Sequence, residues 1–150
     1  MLVDFVLKST PSYRVASIVR KGPYMEDNLR PEFRELAQWA RTEGVPTAHW
    51  IFFERDHDRW EACLEIRGKA RAEGRIRLKT LPATDAASVV FNPDFLASRL
   101  VYHGLSEWTK LRKKSGEIKS VTGIREIYSG DPWTDKKAWA RCEVQFLVRK

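Results

Sequence analysis

The sequence predicts an α+β fold in which a strand-helix-strand-strand unit occurs twice, with antiparallel sheets and two main helices. Two observations carry this prediction. Segments with the two-residue apolar period of strands and the 3.6-residue period of helices follow one another in the same order in both halves of the chain. In addition, two short motifs recur at matching elements. Since 150 residues suit one hydrophobic core, we expect one domain over residues 1–150, with pseudo-repeats at roughly residues 1–68 and 74–150.

The first half contains two predicted hairpins around one amphipathic helix. Turn residues 10–12 (Thr-Pro-Ser) separate the first two strands, and residues 56–58 (Asp-His-Asp) separate the next two. Between the hairpins, apolar residues recur on one helical stripe that ends near Gly44 and Pro46. The predicted strands are residues 3–8, 13–20, 49–55 and 60–67, and the stripe consists of Leu29, Phe33, Leu36, Ala37 and Ala40.

The same order returns after a basic connector that contains Gly68 and Gly74. Residues 92–94 (Asn-Pro-Asp) are a helix start signal, and the helical stripe behind them ends near Gly116. The predicted strands of this half are residues 75–80, 86–91, 124–128 and 141–148, and the stripe consists of Ala97, Leu100, Val101, Gly104, Leu105, Trp108 and Leu111.

Residue identities support the repeat. The motif Leu-x-x-Trp occurs in both helices, at residues 36–39 and 105–108. The motif Trp-x-x-Cys occurs in the last predicted strand of each half, at residues 60–63 and 139–142. Because both motifs recur at corresponding elements, duplication explains them better than chance.

Composition describes a globular chain with no membrane segment. Hydrophobic residues make up 43% and charged residues 31%, and no apolar run reaches the length that spans a bilayer. The N-terminus lacks the basic start and the cleavage site of an export signal. Cys63 and Cys142 fall in predicted buried strands, where a reducing compartment keeps them as thiols. We therefore expect a cytoplasmic protein without membrane contact.

The net charge of +7 raises the question of nucleic acid. Basic residues cluster at residues 67–79 and 110–114. The first cluster is a glycine-containing connector, and the second ends a predicted helix, where cations face the helix dipole favourably. No helix-turn-helix, zinc-finger spacing or aromatic-basic RNA motif is present. We interpret both clusters as solvated surface and do not expect nucleic acid as a partner.

The order of several loose motifs resembles one known family. Pro-x-x-Arg-Val-Ala stands at residues 11–16, Gly-Pro-Tyr at residues 22–24, Ile-Phe-Phe at residues 51–53, and Arg-Glu-Ile-Tyr at residues 125–128, followed by Asp-Pro at residues 131–132. Along its whole length the chain is similar to the GyrI-like small-molecule-binding family.

The resemblance implies an architecture and a function. Family members share a duplicated fold with a ligand groove between the two halves, and many are effector-binding domains of AraC-type or MerR-type activators. The chain length leaves no room for a DNA-binding domain, so we expect the stand-alone form. Residues 142–148 depart from the Thr-Glu-x-x-x-Pro-Val ending of the family, because they contain no proline. Some family members inhibit DNA gyrase, and those members resemble an acidic protein. We therefore do not expect gyrase inhibition from a chain with a net charge of +7.

Glu126 is the first candidate site residue. It lies within a short apolar strand and shares a face with Ile124 and Tyr128 through the two-residue period. A buried carboxylate without a partner costs several kcal/mol, so such a group is usually paired, protonated or functional. The resemblance implies that Glu126 lies in the ligand groove. The alternative is a half-exposed strand on which Glu126 pairs with a Lys or Arg side chain.

Aromatic residues supply the remaining ligand-binding candidates. Flat rings stack on flat ligands and attract cations, with each contact contributing about 0.5–2 kcal/mol. For Trp39 and Trp108, at matched helix positions, core packing is the preferred interpretation, while for Trp50 and Phe52 both roles stay open. The candidates are Tyr24, Trp50, Phe52, Phe91, Tyr102, Trp108, Tyr128 and Trp133.

Metal and cofactor motifs are absent from the sequence. His49, His57 and His103 do not stand at metal-ligand spacing with either cysteine. The chain contains neither a glycine-rich phosphate loop nor a Gly-x-Ser-x-Gly elbow. We therefore expect no metal and no cofactor.

Three functions follow as hypotheses. The leading one is a binding module for hydrophobic, planar or cationic small molecules such as drugs or toxins. The second comes from the resemblance and is a detoxifying hydrolase that opens the cyclopropane of DNA-alkylating compounds. In it Glu126 acts as general base, and Tyr128 or Tyr24 stabilises charge on the dienone oxygen. The third is a protein-partner or regulatory role, and a homodimer is left open.

Overall fold

The computed structural model describes residues 3–150, which form two compact units. Unit 1 comprises residues 3–11 and Ala83–Lys150, and unit 2 comprises Ser12–Pro82. In chain order the elements are β1 (Val6–Thr10), β2 (Tyr13–Lys21), α1 (Arg30–Glu43), β3 (Thr47–Asp56), β4 (Arg59–Ile66), β5 (Arg77–Leu81), β6 (Thr84–Phe91), α2 (Ser98–Lys114), β7 (Ser120–Tyr128), α3 (Lys136–Trp139) and β8 (Cys142–Arg149). No helix within residues 3–150 is both long and apolar enough to pass through a bilayer.

Unit 2 is an antiparallel sheet with the order β3-β4-β2-β5, and α1 packs on β4 and β2. Pro31 lies in the first turn of α1, where its missing N–H interrupts no helical hydrogen bond. Gly44 ends the helix at a φ of 69°, a conformation that favours glycine. Trp39 is buried in the core as expected, and its Nε1 donates to the Arg71 carbonyl at 3.0 Å.

Unit 1 is an antiparallel sheet with the order β1-β6-β8-β7, and α2 packs on β6. Val101 and Leu105 of α2 are buried against the sheet. Gly104 meets Phe5 so closely that a Cβ atom at this position would lie 2.9 Å from the Phe5 Cζ atom. A glycine in mid-helix is therefore explained by the ring that packs against it.

The predicted hairpin of the first two strands is wrong. β1 pairs with β6, from Val6 opposite Ser88 to Thr10 opposite Thr84. β5 likewise pairs with β2. Alternation of apolar and polar residues locates a strand but does not choose its neighbour. The outer strand of unit 1, β1, therefore directly precedes β2 of unit 2 in the chain, and the outer strand of unit 2, β5, directly precedes β6 of unit 1.

The strand registers show which residues of the two units correspond. In unit 2, Ser17 pairs with the first residue of β5 and with Cys63 of β4. In unit 1, Ser88 pairs with the first residue of β1 and with Gln145 of β8. Ser17 therefore corresponds to Ser88, and Cys63 corresponds to Gln145. The predicted duplicated α+β fold is confirmed, while the extent of the single domain stays a prediction.

The prediction that the Trp-x-x-Cys motif lies in the last strand of both halves is wrong. Trp139 ends the short helix α3, and Cys142 is the first residue of β8. Asp135 caps α3, because its carboxylate accepts a hydrogen bond from a backbone N–H of the helix at 2.9 Å. The motif at residues 139–142 therefore does not occupy the position of residues 60–63.

A lysine-glutamate ion pair occurs at corresponding positions of both units. Lys8, the third residue of β1, places its Nζ atom 2.6 Å from Oε2 of Glu143. Lys79, the third residue of β5, forms the same ion pair with Glu61. Both glutamates stand two residues before the matched positions Cys63 and Gln145. Each pair therefore links an outer strand to the strand two places inward.

Candidate functional site

The site is built around Glu126, near the end of β7. Its two neighbours along the chain, Arg125 and Ile127, are buried on one face of the unit 1 sheet. Glu126 points to the other face, which α2 covers, and is partly buried there. Ile124 lies on the same face as Glu126 but is 41% exposed. The strand assignment and the shared face predicted from the sequence both agree with this arrangement.

Two tyrosine hydroxyls donate to the Glu126 carboxylate. Tyr102 of α2 donates to Oε1 at 2.5 Å, and Tyr128 of β7 donates to Oε2 at 3.4 Å. Within residues 3–150, no lysine, arginine or histidine forms a salt bridge with Glu126. The site therefore holds an acidic group between two hydroxyl donors, and no cation of residues 3–150 pairs with it.

Burial governs the protonation of this cluster. It raises the pKa of Glu126 above the usual range of a glutamate, and the hydrogen bonds from Tyr102 and Tyr128 only partly offset the rise. Burial and the negative charge of Glu126 raise the pKa of Cys142 to about 12. Burial, followed by the charges of Cys142 and Glu126, likewise raises the pKa of Tyr128. Cys142 and Tyr128 are therefore neutral near neutral pH.

Two further rings extend the cluster within unit 1. Trp139 stacks on Tyr128 with a centroid distance of 6.2 Å and an interplanar angle of 5°, and its Nε1 donates to Asp94 at 2.9 Å. Phe146 of β8 lies 6.2 Å from the Tyr102 ring. Sequence reasoning missed both residues. The cap of α3 at Asp135 is the signal that could have located Trp139.

The corresponding place in unit 2 is apolar. Arg125 pairs with Gln145 as Ile51 pairs with Cys63, so Glu126 corresponds to Phe52. The shared Leu-x-x-Trp motif aligns the two helices in the same way, so Tyr102 corresponds to Phe33.

Phe33 and Phe52 form an edge-to-face ring pair at 6.4 Å. In unit 1 a hydroxyl-carboxylate hydrogen bond takes the place of this aromatic contact. The duplication therefore carries a polar site in one copy and a hydrophobic core contact in the other.

The unit 2 candidates have the following surroundings. Trp50 and Phe52 are buried and pack on Phe33, with Trp50 stacked on it at a centroid distance of 5.0 Å. Tyr24 is 40% exposed, and its ring lies 4.6 Å from the Trp60 ring. Ligand binding by these three residues stays a prediction.

The other unit 1 candidates are Trp108, Phe91 and Trp133. The ring centroids of Trp108 and Phe5 are 6.1 Å apart, and the Arg112 guanidinium lies 4.4 Å from the centroid of the Trp108 ring. Phe91 is buried at the end of β6. Trp133 is partly buried in the turn after β7, where its backbone N–H donates to Asp131 at 2.9 Å. The structure therefore brings Tyr102 and Tyr128 directly onto Glu126, and ligand contacts of the other three stay predictions.

The described residues offer little to a metal ion. Within residues 3–150, no group of three or more histidine, cysteine, aspartate or glutamate side chains is arranged to hold one.

Solved structures share this architecture. EcmrR in a complex with DNA matches the whole chain with a TM-score of 0.77 at 21% identity, and this chain covers 59% of its length. The EcmrR C-terminal domain matches with a TM-score of 0.74 at 22% identity, covering 100% of this chain and 99% of that domain. The chain has the GyrI-like fold. The chain thus spans well under two thirds of the EcmrR in the DNA complex, but nearly all of its C-terminal domain.

Two more distant structures have the GyrI-like fold in common with the chain. SAV2435 bound to tetraphenylphosphonium matches with a TM-score of 0.56 at 9% identity, over 97% of this chain and 94% of that one. A hydrolase encoded by lin2189 from Listeria innocua matches with a TM-score of 0.60 at 12% identity, over 96% of this chain and 91% of that one. No protein-family model and no curated protein matches the sequence.

Proposed function

We propose that the chain binds hydrophobic, planar or cationic small molecules, and that Glu126 is the group that receives the cation. The observation that carries this proposal is a partly buried carboxylate held by two tyrosine hydroxyls, with no salt bridge from the part of the chain that the structure describes. A carboxylate in such a place is destabilised by the loss of water. A guest cation supplies the positive charge that residues 3–150 do not place at Glu126.

The rings around Glu126 favour a delocalised cation. Tyr102, Tyr128, Trp139 and Phe146 form two ring pairs next to the carboxylate. Aromatic faces attract cations, and an aromatic or delocalised cation sheds its water at a smaller cost than an ammonium ion. SAV2435, which shares the fold, is bound to tetraphenylphosphonium, a cation of this kind. This agreement supports the proposed ligand class.

The titration of Glu126 links binding to pH. Burial raises the pKa of Glu126, so part of the population is protonated at a higher pH than for an exposed glutamate. A cation binds the ionised form and displaces that proton. Affinity therefore increases as pH rises through the pKa of Glu126 and then levels off.

Titration of tetraphenylphosphonium against tryptophan fluorescence tests the proposal. We expect Glu126→Gln to weaken binding about tenfold or more, because it removes an ion pair at low dielectric. Binding of triphenylphosphine oxide, an uncharged aromatic probe, should weaken less than about threefold in the same variant. Glu73→Gln, which removes the charge of an exposed glutamate, is the matched control. Equal binding of tetraphenylphosphonium to wild type and Glu126→Gln would overturn the proposal.

A hydrolase is the second candidate, and the raised pKa of Glu126 favours it. A carboxylate with a pKa nearer neutrality is a better general base than an ordinary glutamate. In this proposal Glu126 takes a proton from water, the oxygen attacks the cyclopropane carbon, and the carbon-carbon bond breaks towards the dienone. A neutral hydroxyl such as that of Tyr128 stabilises the charge on the dienone oxygen by a hydrogen bond, the oxygen takes a proton from solvent, and Glu126 releases its proton to solvent. The fold shared with the Listeria hydrolase is consistent with such a use.

Mass spectrometry after incubation with a cyclopropanoid separates this candidate from binding alone. Hydrolysis adds one water to the compound, whereas binding returns it unchanged. Loss of the hydrated product in Glu126→Gln supports the proposed base. Turnover that persists in that variant excludes Glu126 from the role.

Localisation and assembly belong to the same proposal. Cys63 and Cys142 are both buried thiols, which suits the reducing cytoplasm in which we propose the protein works. The homodimer and a protein-partner or regulatory role stay predictions, and sedimentation of the purified chain tests the first of them.

A further inference from the structure

A cleft of about 360 Å³ opens in unit 1 beside the site. It lies between the C-terminal half of α2 and the beginning of β7. Its base is apolar, because Ile118 and Phe146 are buried there. The remaining lining residues are Ser106, Thr109, Lys110, Lys113, Ser120 and Val121.

Phe146 joins this cleft to the Glu126 cluster. Its ring is 6.2 Å from that of Tyr102, which donates to Glu126. Its cross-strand partner is Ile124, which lies two residues before Glu126 and is 41% exposed. Two residues span about 7 Å along a strand. Two apolar side chains, the exposed Ile124 and the buried Phe146 that lines the cleft, are therefore found between the carboxylate and the cleft.

The charge of the cleft is opposite to that of the Glu126 cluster. Lys110 and Lys113 are exposed at its rim, and no acidic residue is among its lining residues. Lys110 has Glu107 as a partner at 3.3 Å, whereas Lys113 forms no salt bridge within residues 3–150.

The partial negative charge at the C-terminus of α2, beside the cleft, is reduced by backbone hydrogen bonds. The carbonyls of Leu111, Arg112 and Lys113 already accept backbone hydrogen bonds from Ser115, Glu117 and Gly116 respectively. An anion beside the two lysines therefore meets few open carbonyls.

We propose that the cleft holds the anionic end of an elongated ligand whose cationic aromatic part binds at Glu126. This inference rests on the proposed function and narrows its ligand class. The ligand is a zwitterion in which an apolar linker of several carbons joins an aromatic cation to a carboxylate. The linker crosses Ile124 and Phe146, and the carboxylate lies between Lys110 and Lys113.

Two phosphonium probes of equal length test this assignment. Both carry the same triphenylphosphonium head, and their tails are hexyl in one and 5-carboxypentyl in the other. The measured quantity is the ratio of their dissociation constants, Kd of the hexyl probe divided by Kd of the carboxypentyl probe. This ratio cancels the contribution of the shared head.

We expect the double variant Lys110→Gln/Lys113→Gln to lower this ratio about fivefold, because two exposed charge contacts are lost. Lys69→Gln/Lys114→Gln makes the same change of net charge at exposed lysines outside the cleft and should leave the ratio unchanged. Raising the salt concentration to about 0.5 M should also lower the wild-type ratio through screening.

The outcomes separate the inference from the proposed function. A ratio unchanged in Lys110→Gln/Lys113→Gln overturns the anionic subsite, while Glu126-dependent binding of the hexyl probe still supports the cation site. Failure of both probes to bind wild type overturns the cation site and the subsite together. Equal weakening of both probes in Glu126→Gln, with the ratio retained, supports both.

Discussion

Lys79 of unit 2 forms an ion pair with Glu61, a carboxylate that solvent does not reach. The Arg55 guanidinium is also near, but its Nε atom is 3.9 Å from Oε1 of Glu61. Lys79 lies on the outer strand β5 and Glu61 on β4, with β2 between them. The ion pair therefore contributes to the choice of neighbour for the outer strand, which alternation of apolar and polar residues leaves undetermined.

Replacing Lys79 with methionine should destabilise the chain by about 3 kcal/mol, because it leaves a buried carboxylate without its principal cation. Urea denaturation measures this change. The double variant Lys79→Met/Glu61→Leu should recover most of the loss, since it removes the stranded charge as well. Lys69→Met, at an exposed lysine, is the control. A cost below about 0.5 kcal/mol for Lys79→Met would contradict the role of the ion pair.

The corresponding pair in unit 1 should show its contribution through pH. Burial alone would raise the pKa of Glu143, but hydrogen bonds from Lys8, Gln145 and Ser88 outweigh it and lower the pKa. A lowered pKa in the folded state stabilises the fold above the unfolded pKa and loses this effect as pH falls through the folded value.

We therefore expect Lys8→Met to be less stable than wild type at pH 7, with the difference shrinking below about pH 4. Denaturation midpoints over this range provide the measurement. A difference that stays constant with pH would assign the effect to packing of the lysine side chain instead.

Glu126 should have the opposite pH dependence. Burial raises the pKa of Glu126 in the folded state, so its contribution to stability is fully present below the unfolded pKa and is lost as pH rises through the folded value. Glu126→Gln should accordingly gain thermal stability relative to wild type as pH rises from about 4 to 8. Calorimetry at several pH values checks this sign. A variant that loses stability as pH rises would show that the carboxylate is stabilised by a charge that the described residues do not supply.

Tyr102→Phe restores in unit 1 the ring that Phe33 supplies in unit 2. It removes the 2.5 Å hydrogen bond to Glu126, so the pKa of Glu126 should rise further. Tetraphenylphosphonium binding should then weaken several-fold at neutral pH and recover at higher pH. Tyr128→Phe is the matched variant, and its effect should be smaller because its hydrogen bond is 3.4 Å long. Equal effects of the two substitutions would contradict the predicted difference between the two hydrogen bonds.

Local sequence patterns predict the elements well and their partners poorly. The apolar stripe and Gly44 correctly placed the end of α1, and the short apolar strand correctly placed Glu126 in β7. The pairing of β1 with β6 joins residues far apart in the chain, such as Val6 and Ser88, and no local pattern encodes it.

The site was only partly predictable for the same reason. Tyr102 was one of several aromatic candidates, and only the packing of α2 on the sheet brings its hydroxyl to Glu126. The repeated Trp-x-x-Cys motif predicts a strand at Trp139, whereas this residue ends helix α3, which Asp135 caps. Arg125 is buried while Ile124 is exposed, so neither charge nor hydropathy alone identifies the buried face of β7.

The outer strand of each unit adjoins the other unit in sequence, and this limits what a polypeptide of half this length could form. A fragment that ends after β4 would keep β1 but lose β5, the strand that pairs with the outer side of β2. It could not complete a four-stranded sheet by itself. Two identical fragments could do so by trading their first strands, and the strand pairing seen in each unit would result. End-to-end fusion of such a reciprocal pair would give the order of strands found in the present chain.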